Sequence, residues 1–212
     1  MIADDMPLIR EGLRGMFARH PNIELVGEAS DGREAVDACE RLVPDVVVLE
    51  AEMPRLNGID SIEQILSRNT LVRVIVLSAR FDVDLVSRAI RSGACGYLLK
   101  DGSADELAEA IDQVAKGGVY LCPAVAKIVV EDLVRNGTGE PKKKIETLTP
   151  REREVAQLLA EGYTPPQIAR QFHVSTKTVD THRYQILKKL NLKNVAELTR
   201  LALQEGLIRL DG

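Results

Sequence analysis

An alternation of strand-like and helix-like patterns leaves this chain few folds to choose from. Four apolar, β-branched runs stand out: Ile23–Ser30 (IELVGEAS), Asp45–Glu50 (DVVVLE), Val72–Ala79 (VRVIVLSA) and Cys95–Lys100 (CGYLLK). Between and around them, apolar residues recur at helical spacing over Pro7–Arg19, Arg33–Leu42, Gly58–Arg68, Val83–Ser92 and Ala104–Lys116. Apolar strands alternating with helices build right-handed βαβ units, hence a parallel sheet covered on both faces. A further strand must precede Asp4 and Asp5, where only Met1, Ile2 and Ala3 are available. The expectation is therefore an α/β domain with a doubly wound five-stranded parallel sheet whose first strand is unusually short.

Beyond about residue 120 the pattern changes. Pro123–Val134 reads as one more helix, and Arg135–Thr147 (RNGTGEPKKKIET) breaks every periodicity with two glycines, a proline and a lysine run, so it reads as a linker. Only helices follow: Pro150–Glu161 closed by Gly162, Pro166–Phe172, Thr176–Leu190, and Val195–Glu205 closed by Gly206. The chain should thus comprise the α/β domain over residues 1–120, a connecting helix and linker over 121–147, and a small all-α domain over 148–212.

Charge follows the same division. Residues 141–212 hold 13 Lys and Arg against 8 Asp and Glu, a net +5, while residues 1–140 hold 15 against 24, a net −9. An acidic first part joined to a basic second part fits two jobs, the second with a polyanion as partner, although a basic face is often only a solvated surface. Cys39, Cys95 and Cys122 are odd in number, far apart and embedded in apolar sequence, as core thiols in a reducing compartment would be. No stretch approaches the ~18 apolar residues of a membrane span. No cationic leader with an apolar core is present either, so a cytoplasmic protein with no membrane partner is expected.

The carboxyl ends of parallel strands are where such sheets place their working residues. Here they deliver Asp4 and Asp5 from the first strand, Glu50 from the third, Ser78 from the fourth and Lys100 from the fifth. Singly, each is more often a solvated loop residue, with Lys100 pairing one of the acids. Together, the oxygen ligands suit a hard divalent cation such as Mg²⁺, and the hydroxyl and ammonium suit phosphoryl oxygens.

The segments ADDMP, VVVLEAEMPRLNG, VIVLSA and GYLLKD together resemble the receiver domain of two-component response regulators over about residues 1–120. The resemblance implies that the position of Glu50 accepts a phosphoryl group from a sensor histidine kinase, a role the family gives to aspartate. It implies that Asp4, Asp5, Glu50 and Glu52 surround Mg²⁺, the last through its carbonyl. It makes Ser78 the switch hydroxyl, Tyr97 the switch aromatic and Lys100 the phosphate-side lysine, with Pro54 and Gly58 shaping the loop. Glu50 departs from the pattern. One methylene displaces the carboxylate by about 1 Å or more, enough to spoil near-attack geometry. The longer side chain could instead reach Ser78 and Lys100, with about one charge where a phosphoryl group brings nearly two. An engineered mimic, a natural phosphorylation-independent variant and a nearly inert remnant all remain open.

In the second domain, Thr149, Pro150 and Glu152 have the spacing of a capping box. Two helices joined by a turn near Val174 make a helix-turn-helix whose second helix would enter the DNA major groove. TPREREV, VSTKTVDTHR and KKL resemble the LuxR-type DNA-binding domain over about Leu148–Ile208. With the receiver, this makes the chain similar to response regulators of the LuxR/FixJ class. Val179, Ile186, Leu187 and Leu190 share the spacing of a core face. The candidate DNA-binding residues are Lys177, Thr178, Asp180, Thr181, His182, Arg183, Tyr184, Lys188 and Lys189. Asp180, Thr181 and Tyr184 are placed toward base edges; Lys177, Arg183, Lys188 and Lys189 suit phosphates. His182 either donates to a phosphate or packs on the helix surface. Asp180 either accepts from a cytosine amine or, the favoured reading, tethers Lys177 or Arg183. A homodimer on two half-sites of promoter DNA is expected. Two other classes are weighed, a Mg²⁺-dependent phosphatase and a regulator acting mainly by protein contact; for the first, ADDMP lacks a nucleophilic aspartate two residues before a second acid.

Overall fold

The computed structural model describes residues 1–80, 83–127, 129 and 144–209. The chain divides into two compact units that part in sequence near Glu140 and Pro141.

In the first unit the strands are β1 (Ile2–Ala3), β2 (Glu28–Ala29), β3 (Val46–Leu49), β4 (Arg73–Ser78), β5 (Gly96–Leu99) and β6 (Tyr120–Leu121). They alternate with α1 (Pro7–Phe17), α2 (Gly32–Leu42), α3 (Gly58–Arg68), α4 (Val83–Arg91) and α5 (Ala104–Ala115). All pairings are parallel, in the order β2-β1-β3-β4-β5-β6. The sheet therefore has six strands, not the five expected. Tyr120 and Leu121 follow two glycines and pair with Gly96 and Tyr97, a run of two residues that is too short to show any period in the sequence.

The expected strand Ile23–Ser30 is reduced to Glu28–Ala29. Its partner β1 has only Ile2 and Ala3, opposite Glu28 and Ala29, so Ile23–Val26 have no strand beside them among the described residues. A cavity of about 350 Å³ opens there, lined among others by Phe17, Ile23, Leu25, Val46 and Ile111. The helices start where their caps dictate. Asp31 accepts from the Glu34 N–H at 2.9 Å to begin α2, and Ser103 accepts from the Glu106 N–H at 3.1 Å to begin α5.

Alternation along each strand fills both faces of the sheet. Ile2, Val46, Val48, Ile75, Leu77 and Leu98 pack with Met16 and Phe17 of α1 and Leu107, Ala110 and Val114 of α5. Val47, Leu49, Val74 and Val76 are equally buried and point to the other face, as do Ile59, Ile62 and Ile65 of α3 from their side. Each such aliphatic side chain contributes roughly 1.5–3 kcal/mol by leaving water. Cys39 and Cys122 are buried and Cys95 is half-buried, all as free thiols. Burial pushes the Cys39 thiol up to about 11.

Residues 123–127 are helical, and the remainder of the expected Pro123–Val134 helix includes residues outside those described. The expected linker behaves likewise: residues 135–143 lie outside the described set. Its end is not irregular, because Lys144–Thr147 forms a 3₁₀ turn with Ile145 buried in the second unit's core.

The second unit holds α6 (Pro150–Ala160), α7 (Pro165–Phe172), α8 (Thr176–Leu190) and α9 (Val195–Gln204). Thr149 and Glu152 form the capping box, and Gln167 accepts from both the N–H and the hydroxyl of Thr164 at the start of α7. His173 and Asn191 end α7 and α8 in the left-handed conformation, at φ 54° each. The core comprises Val155, Leu158 and Leu159 of α6, Ile168 of α7, Val179, Ile186 and Leu190 of α8, and Leu198 and Ala202 of α9.

Candidate functional site

Strand ends bring Asp4, Glu50, Ser78 and Lys100 of the first unit into one pocket. Asp4 follows β1, Glu50 follows β3, Ser78 closes β4 and Lys100 follows β5. Both oxygens of Glu50 are engaged. Oε1 accepts from the Ser78 hydroxyl at 3.2 Å and from the Glu52 N–H at 3.1 Å, while Oε2 pairs with the Lys100 ammonium. Lys100 also pairs with Asp4 Oδ2, and Asp4 Oδ1 accepts from the Met6 N–H at 2.9 Å. Asp4, Glu50 and Ser78 are buried, with 3%, 4% and 2% exposure. Burial alone would lower the affinity of Lys100 for its proton. The facing carboxylates of Glu50 and Asp4 outweigh that and raise it, so the ammonium is held charged.

The loop after β3 turns on Gly58, where a Cβ would lie 1.9 Å from the Glu50 carbonyl oxygen, a distance no side chain tolerates. Tyr97 is fully buried on β5 and its hydroxyl donates to the Arg80 carbonyl at 2.6 Å. Arg80 had no place in the sequence-based site. Its N–H donates to the Ser78 hydroxyl at 3.3 Å, and its guanidinium pairs with Glu52 at 2.8 Å. Its place two residues after the strand-ending Ser78 was the signal that could have found it.

Among the described residues no group of three or more His, Cys, Asp or Glu side chains is set to hold a metal ion. Asp4 and Glu50 are instead turned onto Lys100, and Glu52 onto Arg80. The donors themselves are of the type that hard cations take, carboxylate oxygens with the Glu52 carbonyl.

In the second unit, α8 sorts its residues by face. Val179, Ile186 and Leu190 are buried, with Leu187 packed against the same core. Thr176, Lys177, Thr178, Thr181, Tyr184, Gln185, Lys188 and Lys189 are exposed, Tyr184 at 66%. The Thr181 hydroxyl donates back to the Lys177 carbonyl at 2.9 Å. Asp180 pairs with Arg183 at 3.1 Å through one carboxylate oxygen. His182 is half-buried, and its Nδ1 has no hydrogen-bond partner among the described residues. Lys189 turns inward to the Glu152 carboxylate at 2.7 Å. Gln185, one turn beyond Thr181 on the outward face, was missed by the sequence reading although its spacing was legible.

Comparison with known proteins adds the following. The model of the response regulator receiver domain matches residues 1–112, and that of bacterial regulatory proteins of the luxR family matches residues 146–202. The transcriptional regulatory protein DegU of Brevibacillus brevis is 34% identical over 99% of this chain and 94% of its own length. The nitrate/nitrite response regulator NarL of Escherichia coli K12 is 33% identical over 93% of this chain and 91% of its own. Among solved structures, the two-component response regulator RcsB in complex with DNA superposes with a TM-score of 0.57 at 25% identity, covering 94% of this chain and 95% of that one.

Proposed function

Since the chain belongs to the LuxR family of two-component response regulators, and is a DNA-binding transcription regulator and not an enzyme, we propose that Glu50 sets the state of its receiver in place of phosphorylation. The observation that carries the proposal is the junction of one carboxylate with both Ser78 and Lys100. A phosphoryl group on an aspartate would offer oxygens to that same hydroxyl and ammonium. Glu50 offers two oxygens already placed there, so the pocket holds part of its activated arrangement without a donor. Tyr97 lies inward and is joined to Ser78 through Arg80, which links the pocket to the loop after β4.

We assign the receiver to residues 1–120, the connection to 121–147 and the DNA-binding domain to 148–212. In the latter, Thr178, Thr181 and Tyr184 reach base edges, and Lys177 and Lys188 neutralise phosphates. Asp180 orients Arg183 toward the backbone, and His182 supports the helix from its half-buried side. From the likeness to RcsB in complex with DNA and from the family's chemistry, the partners are promoter DNA, a second copy of this chain and a sensor histidine kinase whose phosphotransfer Glu50 defeats. No helix among the described residues is long and apolar enough to cross a membrane, and a cytoplasmic regulator accords with that.

Mg²⁺ belongs to this proposal as a ligand of the same pocket. Asp4, Asp5, Glu50 and Glu52 bring four negative charges, and Lys100 and Arg80 bring two positive ones, an excess that a divalent cation would offset. Bound there, the ion would supply charge screening for anionic oxygens, and Lys100 would have to release Asp4.

The test compares this protein with its Glu50→Asp variant, each with and without a small phosphodonor, in dimerisation and DNA binding. The Glu50 protein should ignore the donor and bind at least about fivefold tighter than the unphosphorylated Asp variant, a coupling at the lower end for allosteric switches. Equality of the two in both assays, or stable acyl-phosphate at Glu50, would overturn it.

A further inference from the structure

The carboxylate of Glu152 sits at the centre of a network that DNA contact alone leaves unexplained. Its side chain is 6% exposed, and a single oxygen, Oε2, accepts three hydrogen bonds. The donors are the Thr149 N–H at 2.9 Å, the Thr149 hydroxyl at 3.0 Å and the Lys189 ammonium at 2.7 Å. Burial acts to raise the pKa of this acid, but the Lys189 ammonium and the Thr149 donors prevail and keep it below the usual carboxylate range. The first two donors belong to the cap that starts α6. The third comes from the last turn of α8, the helix that carries Thr178, Thr181 and Tyr184.

Removing a cation from a buried carboxylate costs far more than removing one from an exposed acid, because water cannot take its place. Lys189, although partly exposed like Lys177 and Lys188, is the one of the three that pairs with this carboxylate and so has more to lose by turning to a phosphate. We propose that Lys189 is a positioning residue: through Glu152 it fixes the seat of α8 against the start of α6, and so the aim of the base-reading side chains, while making no phosphate contact. This rests on reading α8 as the helix that enters the groove.

The two roles separate in salt dependence. Each phosphate contact contributes about 0.9 to the slope of log K against log salt, and its loss weakens binding alike on all sequences. The full-length chain is measured on a duplex that it has itself enriched from a random pool, and on a shuffled duplex of the same composition. Lys189→Ala should lose about tenfold on the enriched duplex, little on the shuffled one, and leave the slope unchanged. Lys188→Ala, the control, should weaken both and lower the slope by about 0.9. Glu152→Gln keeps an acceptor for the cap and should reproduce Lys189→Ala, with the double variant no worse than either. Lys189→Arg should restore specificity, and Lys189→Gln replaces the alanine variant if that fails to fold. A lower slope with uniform weakening for Lys189→Ala would overturn the proposal. Failure of the DNA reading itself looks different: no duplex is enriched, and both fall together.

Discussion

In the proposed function Glu50 is one methylene longer than the phosphoacceptor aspartate it stands in for. That extra reach takes the carboxylate onto Ser78 and Lys100 together, and the electrostatics of Lys100 follow from it. Its raised pKa is a stability term with a definite sign. The contribution is complete below the unfolded value of about 10.4 and is lost as pH rises through the higher folded value. Stability supplied by Lys100 should therefore be constant through neutral pH and fall only in the alkaline range. Nitrogen NMR of the lysine side chains should find Lys100 titrating last, and Glu50→Gln should bring it back toward the others. A Lys100 that titrates before the exposed lysines would contradict the pairing. The residues of this pocket were legible in the sequence because strand ends in a parallel sheet converge whatever the loops do. Which of them bond was not. Whether Lys100 faces Asp4, Glu50 or both depends on side-chain reach, and Arg80 joins Ser78, Glu52 and Tyr97 through backbone and side-chain atoms of a loop that has no period to read.

At the scale of elements, the long periodic helices kept close to their expected limits. Gly58–Arg68 and Thr176–Leu190 coincide with the sequence reading, because an apolar stripe runs along each and Ser175 caps the second. The short strands were harder to read. β2 shrank for want of a partner beyond Ile2, and β6 gains its identity only from pairing with β5. Helix ends also carry strain that composition hides. α2 ends at Val43 with φ 47° and ψ 56°, immediately before Pro44. A β-branched residue pays for the left-handed region with a clash between its Cβ and the backbone. Val43 is 58% exposed, so little packing is lost on truncation. Val43→Gly should stabilise the first unit by about 0.5–1 kcal/mol, the relief of strain less the entropy that glycine brings to the unfolded chain. Urea denaturation measures it, and a lower midpoint for the variant would show that the valine is not strained.

For the whole molecule, the opposite charges of the two parts bear on how it finds DNA. The −9 of residues 1–140 is repelled by a polyanion, so attraction rests on the +5 of residues 141–212. A small helical domain with Lys177 and Lys188 as the outward lysines of α8 gains little from one half-site, and useful specificity requires two domains acting together. Two domains held in one dimer read two half-sites only if both face the same side of the duplex, and the helix repeats every ~10.5 base pairs. Insertion of about five base pairs between the half-sites of an enriched duplex should turn one of them to the far face and weaken binding more than about tenfold. Insertion of a full turn should recover part of the loss. Equal binding to all three spacings, measured by fluorescence anisotropy at fixed salt, would mean that each chain reads DNA alone. The receiver would then have no dimer through which Glu50 could act, and its influence would have to run within a single chain.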